Sequence, residues 1–173
     1  MEIGISTGFF HKQSIFDSLR LIRNSGIKYL ELWTFSKMLD STIHFNPADK
    51  KEIEKVKKLL NDYSIKAVSI HTPFSEDMDI SSENENKRSE SVNYAVLSAE
   101  ALCKISDNDS KYDKTIVIHP SSVPLKNREK ETKTKFNQAK RSIEEIYNKV
   151  KTLNVKLALE NQLPHIFGSD AQT

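Results

Sequence analysis

Along the chain, short apolar runs rich in β-branched residues alternate with longer segments whose apolar residues recur every three to four positions. The first run covers Glu2 to Ser6. Ile15, Leu19 and Ile22 then fall on one face of a predicted helix that starts near Ser14, with Asp17 in its first turn and Gly26 placed to end it. Tyr29 to Trp33 reads as a second strand. Asn46-Pro47 is expected to open the next helix, with Asn46 as cap and Ile53, Val56, Leu60 and Tyr63 as its stripe. Ala67 to His71 is the third strand, and an acidic, serine-rich loop follows over residues 75–86. A third helix is expected from near Ser82, with Val92, Ala95, Val96, Ala99, Leu102 and Cys103 at helical spacing. Thr115 to His119 is the fourth strand, and Phe136, Ala139, Ile143, Ile146, Tyr147 and Val150 mark the fourth helix. Val155 to Glu160 is the fifth strand, and the tail beyond it has no clear periodicity.

This β-α-β-α-β-α-β-α-β order predicts parallel strands joined by helical crossovers in one α/β domain over residues 1–173. Runs such as Ile116-Val117-Ile118 and Leu157-Ala158-Leu159 suit strands covered on both faces.

In parallel α/β folds the crossover geometry brings the loops after the strands to one rim, where ligands bind. Here the strand ends deliver Ser6 and Thr7, Glu31, His71, His119, and Glu160 with Asn161. One histidine after a strand is ordinarily a hydrogen-bonded structural residue. Two histidines and two carboxylates on one rim form a candidate site. Imidazole and carboxylate are ligands for Zn, Mn, Fe or Co, and a glutamate beside such an ion can serve as general base. The spacing is no short-range motif; it has meaning only if the strands lie side by side.

Composition narrows the setting. The 173 residues carry 26 Lys and Arg against 24 Asp and Glu, a net charge of +2 that does not point to nucleic acid. The one basic cluster, residues 126–141, is expected to be a solvated outer helix face. One cysteine, Cys103, excludes an internal disulfide framework and is expected in the core. No apolar run reaches the roughly 20 residues of a membrane span, and the start, MEIGIST, lacks the build of a signal peptide. A cytoplasmic protein is therefore expected. His11 and His44 are read as loop residues. The acidic loop, with Glu76, Asp77, Asp79, Glu83 and Glu85, is read as a solvated loop or a lid.

The opening IGIST, the block LRLIRNSGIKYLELW, and then IKAVSIHTPF, VIHPSS and LALEN together resemble the first five strands of the xylose isomerase-like TIM barrels, across residues 1–161. That superfamily contains sugar and sugar-phosphate isomerases and epimerases, and the type IV apurinic endonucleases. The resemblance implies a (β/α)8 barrel with a divalent metal (Zn, Mn, Mg or Co) at its rim. Glu160 matches the strand-five glutamate, a metal ligand in both branches and an acid/base in the isomerases. His71 and His119 match the histidines that bind metal in the endonucleases and line the substrate pocket in the isomerases. Ser6, Glu31, Trp33 and Asn161 are implied as substrate-binding residues. His-Pro-Ser-Ser departs from the His-Pro-Gly-Ser common among the endonucleases.

A barrel of this type takes about 250 residues, so the chain is expected to be a barrel truncated after strand five. His165 and Asp170 in the tail do not match the later ligand-bearing strands. Either the chain is a fragment or truncated gene product, or another chain completes the barrel; the open edge implies self-association or instability. Three functions follow: a metal-dependent sugar or sugar-phosphate isomerase or epimerase, an endonuclease-like zinc phosphodiesterase acting on abasic DNA, or a truncated barrel without turnover.

Overall fold

The computed structural model describes residues 2–34, 44–106, 112–122 and 128–161, with the backbone alone at 128 and 129. The tail bearing His165 and Asp170 lies outside the described residues, as do residues 126–127 of the basic run.

Five strands form one parallel sheet in the order of the chain: β1 (Gly4–Ser6), β2 (Tyr29–Trp33), β3 (Lys66–His71), β4 (Lys114–Ile118) and β5 (Val155–Leu159). Each new strand is added on the same side of the last, which is the winding of a barrel wall and not of a doubly wound sheet, where the order reverses. The crossovers are α1 (Ile15–Arg23), α2 (Lys50–Tyr63), α3 (Glu85–Ile105) and α4 (Arg128–Val150), and successive helices pack on one another. A short 3-10 turn, Thr7–Phe10, follows β1.

The alternation of each strand sorts its side chains. Leu30, Leu32, Ile70, Ile116 and Ile118 join the core with Leu19, Val56, Leu60, Val92, Leu102 and Ile146 of the helices, all fully or almost fully buried. On the other face the register aligns Ser6, Glu31, Ser69, Thr115 and Lys156 in one polar row across the sheet. The next row toward the strand ends is Trp33, His71, Val117 and Ala158. A one-residue irregularity in β3 beside Leu30 and Glu31 brings Ser69, and not Val68, opposite Glu31.

Several element boundaries differ from the sequence expectation, each for a local reason. Asp49 caps α2 by accepting from the backbone N–H groups of Lys51 and Glu52. Asn46 instead accepts from Ala48 N in a turn through Pro47, and the Glu52 carboxylate accepts from Asn46 N. A carboxylate at the cap also meets the positive end of the helix dipole. In the same way Asn84 caps α3, two residues after the expected Ser82. On α4, Ala139, Ser142, Ile146 and Val150 are buried, whereas Phe136 and Tyr147 are 42% and 57% exposed. The buried face is turned toward Ser142 because the side chain of Arg88 on α3, itself buried, donates to Ser142 Oγ at 2.9 Å and to Glu145 at 3.1 Å.

Candidate metal centre

Strand alternation places His71 on the face opposite the core, at the last position of β3. Its backbone is fixed from both sides. Thr34 Oγ1 donates to the His71 carbonyl at 2.6 Å, and both the N–H and the hydroxyl of Thr72 donate to Val117 O at 2.9 Å. His119 follows β4 directly, and Glu160 follows β5, where its N–H donates to Ile118 O at 3.0 Å and prolongs the ladder. Three adjacent strands thus end in ligand-type side chains at one level.

The side chains meet. His71 Nε2 lies 2.9 Å from His119 Nε2 and 3.1 Å from Glu160 Oε2, and His119 Nε2 lies 3.7 Å from the same oxygen. Both imidazoles are buried, while the glutamate side chain is 52% exposed. His71 Nδ1 sits 2.9 Å from the Thr72 carbonyl, which only accepts, so Nδ1 carries the proton. In the neutral ring, Nε2 then presents a lone pair to a carboxylate oxygen that also carries only lone pairs. Two such atoms at this separation repel unless a proton or a cation lies between them. An N–H donated to a backbone carbonyl is also the usual outer support of a metal-bound histidine.

The donor set passes a second test. Ligands at about 2.0–2.1 Å from a tetrahedral ion stand about 3.3 Å apart, and the three observed separations of 2.9, 3.1 and 3.7 Å bracket that value. The three residues form the group of His, Cys, Asp and Glu side chains, among the described residues, whose ligand atoms lie within 4.8 Å of one another.

An aromatic wall stands beside this cluster. Phe74 stacks on His119, with ring centres 4.3 Å apart and 35° between planes, and lies 5.2 Å from the His71 ring. Trp33 lies 6.0 Å from Phe74 and 6.3 Å from His71, and His11 meets its other side edge-on at 5.9 Å. Ser6, Gly8, Phe9, His11 and Trp33 line an open hollow of about 450 Å³. Ser6 accepts from Gly8 N, and Thr7 Oγ1 accepts from Trp33 N at 2.8 Å, so the turn after β1 is tied to the tryptophan.

The candidate residues therefore separate. His71, His119 and Glu160 converge; Trp33 borders them, and Ser6 lines the hollow beside the tryptophan. Glu31 sits one row deeper, where Ser69 Oγ donates to it at 3.5 Å, and Asn161 is exposed at the last described position. Phe74 went unrecognised, although its place three residues after a strand-end histidine is a signal for a rim residue. His44 lies in a loop, as expected, and is buried there: its Nδ1 donates to Gln13 O at 2.7 Å. Cys103 is half-buried on α3, its thiol donates to Leu153 O, and burial pushes its pKa up.

The chain matches the xylose isomerase-like TIM barrel family over residues 19–171. It belongs to that family. Its fold resembles solved sugar epimerases of this superfamily. A D-tagatose 3-epimerase-like protein shares 20% identity at a TM-score of 0.73, with 94% of this chain aligned to 53% of that one. An L-ribulose 3-epimerase gives 17% and 0.67, covering 92% of this chain and 49% of that one. The 3-keto-D-glucoside 4-epimerase of E. coli gives 15% and 0.65, covering 92% and 55%. This xylose isomerase-like chain thus spans about half the length of the structures it matches. None of the curated protein sequences matches it significantly. Among its described residues, no helix is long and apolar enough to cross a membrane.

Proposed function

We propose that this chain carries part of the active centre of a metal-dependent sugar or sugar-phosphate isomerase or epimerase, in which His71, His119 and Glu160 hold a divalent ion. The observation that carries the reading is the convergence of two imidazole nitrogens and one carboxylate oxygen, with the His71 proton already committed to a carbonyl. Bound there, a divalent ion would supply the positive charge that polarises a hydroxy-carbonyl substrate. Glu160, more exposed than either histidine, takes the proton from the carbon beside the carbonyl and returns it to the substrate. Trp33 and Phe74 offer apolar ring surface against which the C–H face of a sugar packs.

Native mass spectrometry of the 173-residue chain with Mn²⁺, Co²⁺ or Zn²⁺ reads copy number and bound ion together. Incubation of ketohexoses in D₂O then reads proton exchange at carbon. Glu160→Gln should lower the exchange rate about 10²–10⁴-fold, the range a positioned acid/base supplies. Metal-free wild-type chain without exchange would sink the reading. A second reading, a zinc phosphodiesterase acting on abasic DNA, is favoured by one observation: both histidines point Nε2 into the cluster, as zinc ligands do. Cleavage of an abasic duplex without ketose exchange would select it.

A further inference from the structure

His119 is followed by Pro120, Ser121 and Ser122, and this segment is buried although it is a loop. Buried loop backbone needs fixed partners for its polar groups. They come from Met78, Asp79 and Ser81 of the preceding rim loop. Asp79 Oδ1 accepts from Ser122 N at 3.2 Å, and from Ser81 N and Ser81 Oγ at 3.0 and 2.7 Å. Ser81 Oγ also bonds Ser121 Oγ at 3.2 Å, and Ser122 Oγ donates to Met78 O at 2.9 Å. The other carboxylate oxygen, Oδ2, accepts from Lys135 Nζ of α4 at 3.0 Å. Asp79 is 2% exposed and the Lys135 side chain 12%. This pair corrects two expectations. The acidic loop is anchored inward at Asp79, with Glu76, Asp77 and Glu83 left outside, and one lysine of the basic run turns inward while Lys133, Lys140 and Arg141 face water.

We infer that the buried Asp79–Lys135 pair is a positioning device for the metal centre, locking the loop after β4, and with it His119, onto the loop after β3, which carries Phe74 onto the His119 ring. A buried ion pair is weak as a source of stability, because desolvation offsets most of its attraction. Its worth lies in geometry: each oxygen of Asp79 has a fixed partner, and those partners come from three separate segments. The inference rests on the metal reading above for its consequence, yet the positioning itself is visible without metal.

The experiment uses the full chain and two readouts. Co²⁺ titration followed by visible absorption gives metal affinity, and the ring-nitrogen chemical shifts of His119 in the metal-free protein report its setting. Asp79→Asn should weaken Co²⁺ binding about tenfold, and Asp79→Ala/Lys135→Met about a hundredfold, the span that outer supports of a metal ligand command. Both should shift the His119 resonances. Arg141→Ala, on the same helix as Lys135, removes an exposed pair with Glu85 of α3 and should change neither. If Asp79→Asn does not fold, the double variant, which leaves no buried charge unpaired, gives the same reading. Unchanged His119 shifts in a folded variant would overturn the inference. Shifted resonances in a chain that takes up no Co²⁺ would keep the positioning role and discard the metal.

Discussion

His44 shows what one buried side chain does to the stability of the whole rim. Burial lowers its pKa from 6.5, and the bond to the Gln13 carbonyl opposes that only in part. A histidine whose folded pKa lies below its unfolded one is protonated more readily in the unfolded chain, so stability is lost as pH falls below about 6.5. The thermal midpoint should therefore drop between pH 7.5 and 5.5. His44→Asn, whose side-chain N–H replaces Nδ1–H, should flatten that slope. Gly8 makes a second single-residue case. A Cβ there would lie 3.1 Å from Trp33 Cγ and 3.2 Å from Ser6 Oγ. His11 and Phe74 pack against the indole, and Ser6 Oγ would have to give as well. Gly8→Ala should cost about 1–3 kcal/mol by denaturant titration, the usual penalty for overpacking.

The pairing of α3 with α4 adds an exposed charged bridge to its buried apolar contact. Glu85 lies between Arg88 and Arg141; the Arg88 guanidinium first, then that of Arg141, holds its carboxyl near a pKa of about 2, from an ordinary 4.5. A depressed carboxylate stabilises the fold above its unfolded pKa, and that contribution disappears as pH falls from about 4.5 toward 2. Glu85→Gln should lose stability at neutral pH and show a shallower acid slope in that window, well separated from the His44 effect. The same helices show where the sequence was readable. Strand ends were legible because an apolar run that stops at His71, His119 or Glu160 marks both the element and its rim. The start of α1 was legible at Ser14, which caps it, but those of α2 and α3 were not, since Asn46 and Asp49, or Ser82 and Asn84, can each cap and only the surrounding loop selects one. Asp79 and Lys135 were illegible for another reason: they are 56 residues apart, and neither periodicity nor local chemistry links them. The apolar stripe of α4 was legible at Ala139, Ile143, Ile146 and Val150 but drawn too wide, because Phe136 and Tyr147 look like core, while the buried Ser142, bonded to Arg88, does not.

At the scale of the molecule, among the described residues, β2, β3 and β4 have a strand on each side, and β1 and β5 are paired on one side only. Amide exchange should be slowest in β3 and β4, whose core residues Ile70, Ile116 and Ile118 are buried, and faster in β1 and β5, which carry exposed Gly4, Lys156 and Leu159. Exchange as slow in β5 as in β3 would mean that another strand covers that edge. The sheet thus puts its most enclosed strands under His71 and His119, and Glu160, the third member of the cluster, follows the edge strand of the described sheet. The chain also contains a single tryptophan, and the fold sets it 6.3 Å from the His71 ring. Its ultraviolet emission is therefore a built-in optical gauge: a paramagnetic ion seated among the three side chains would dim it, a diamagnetic one would leave it bright, and no label need be attached to tell them apart.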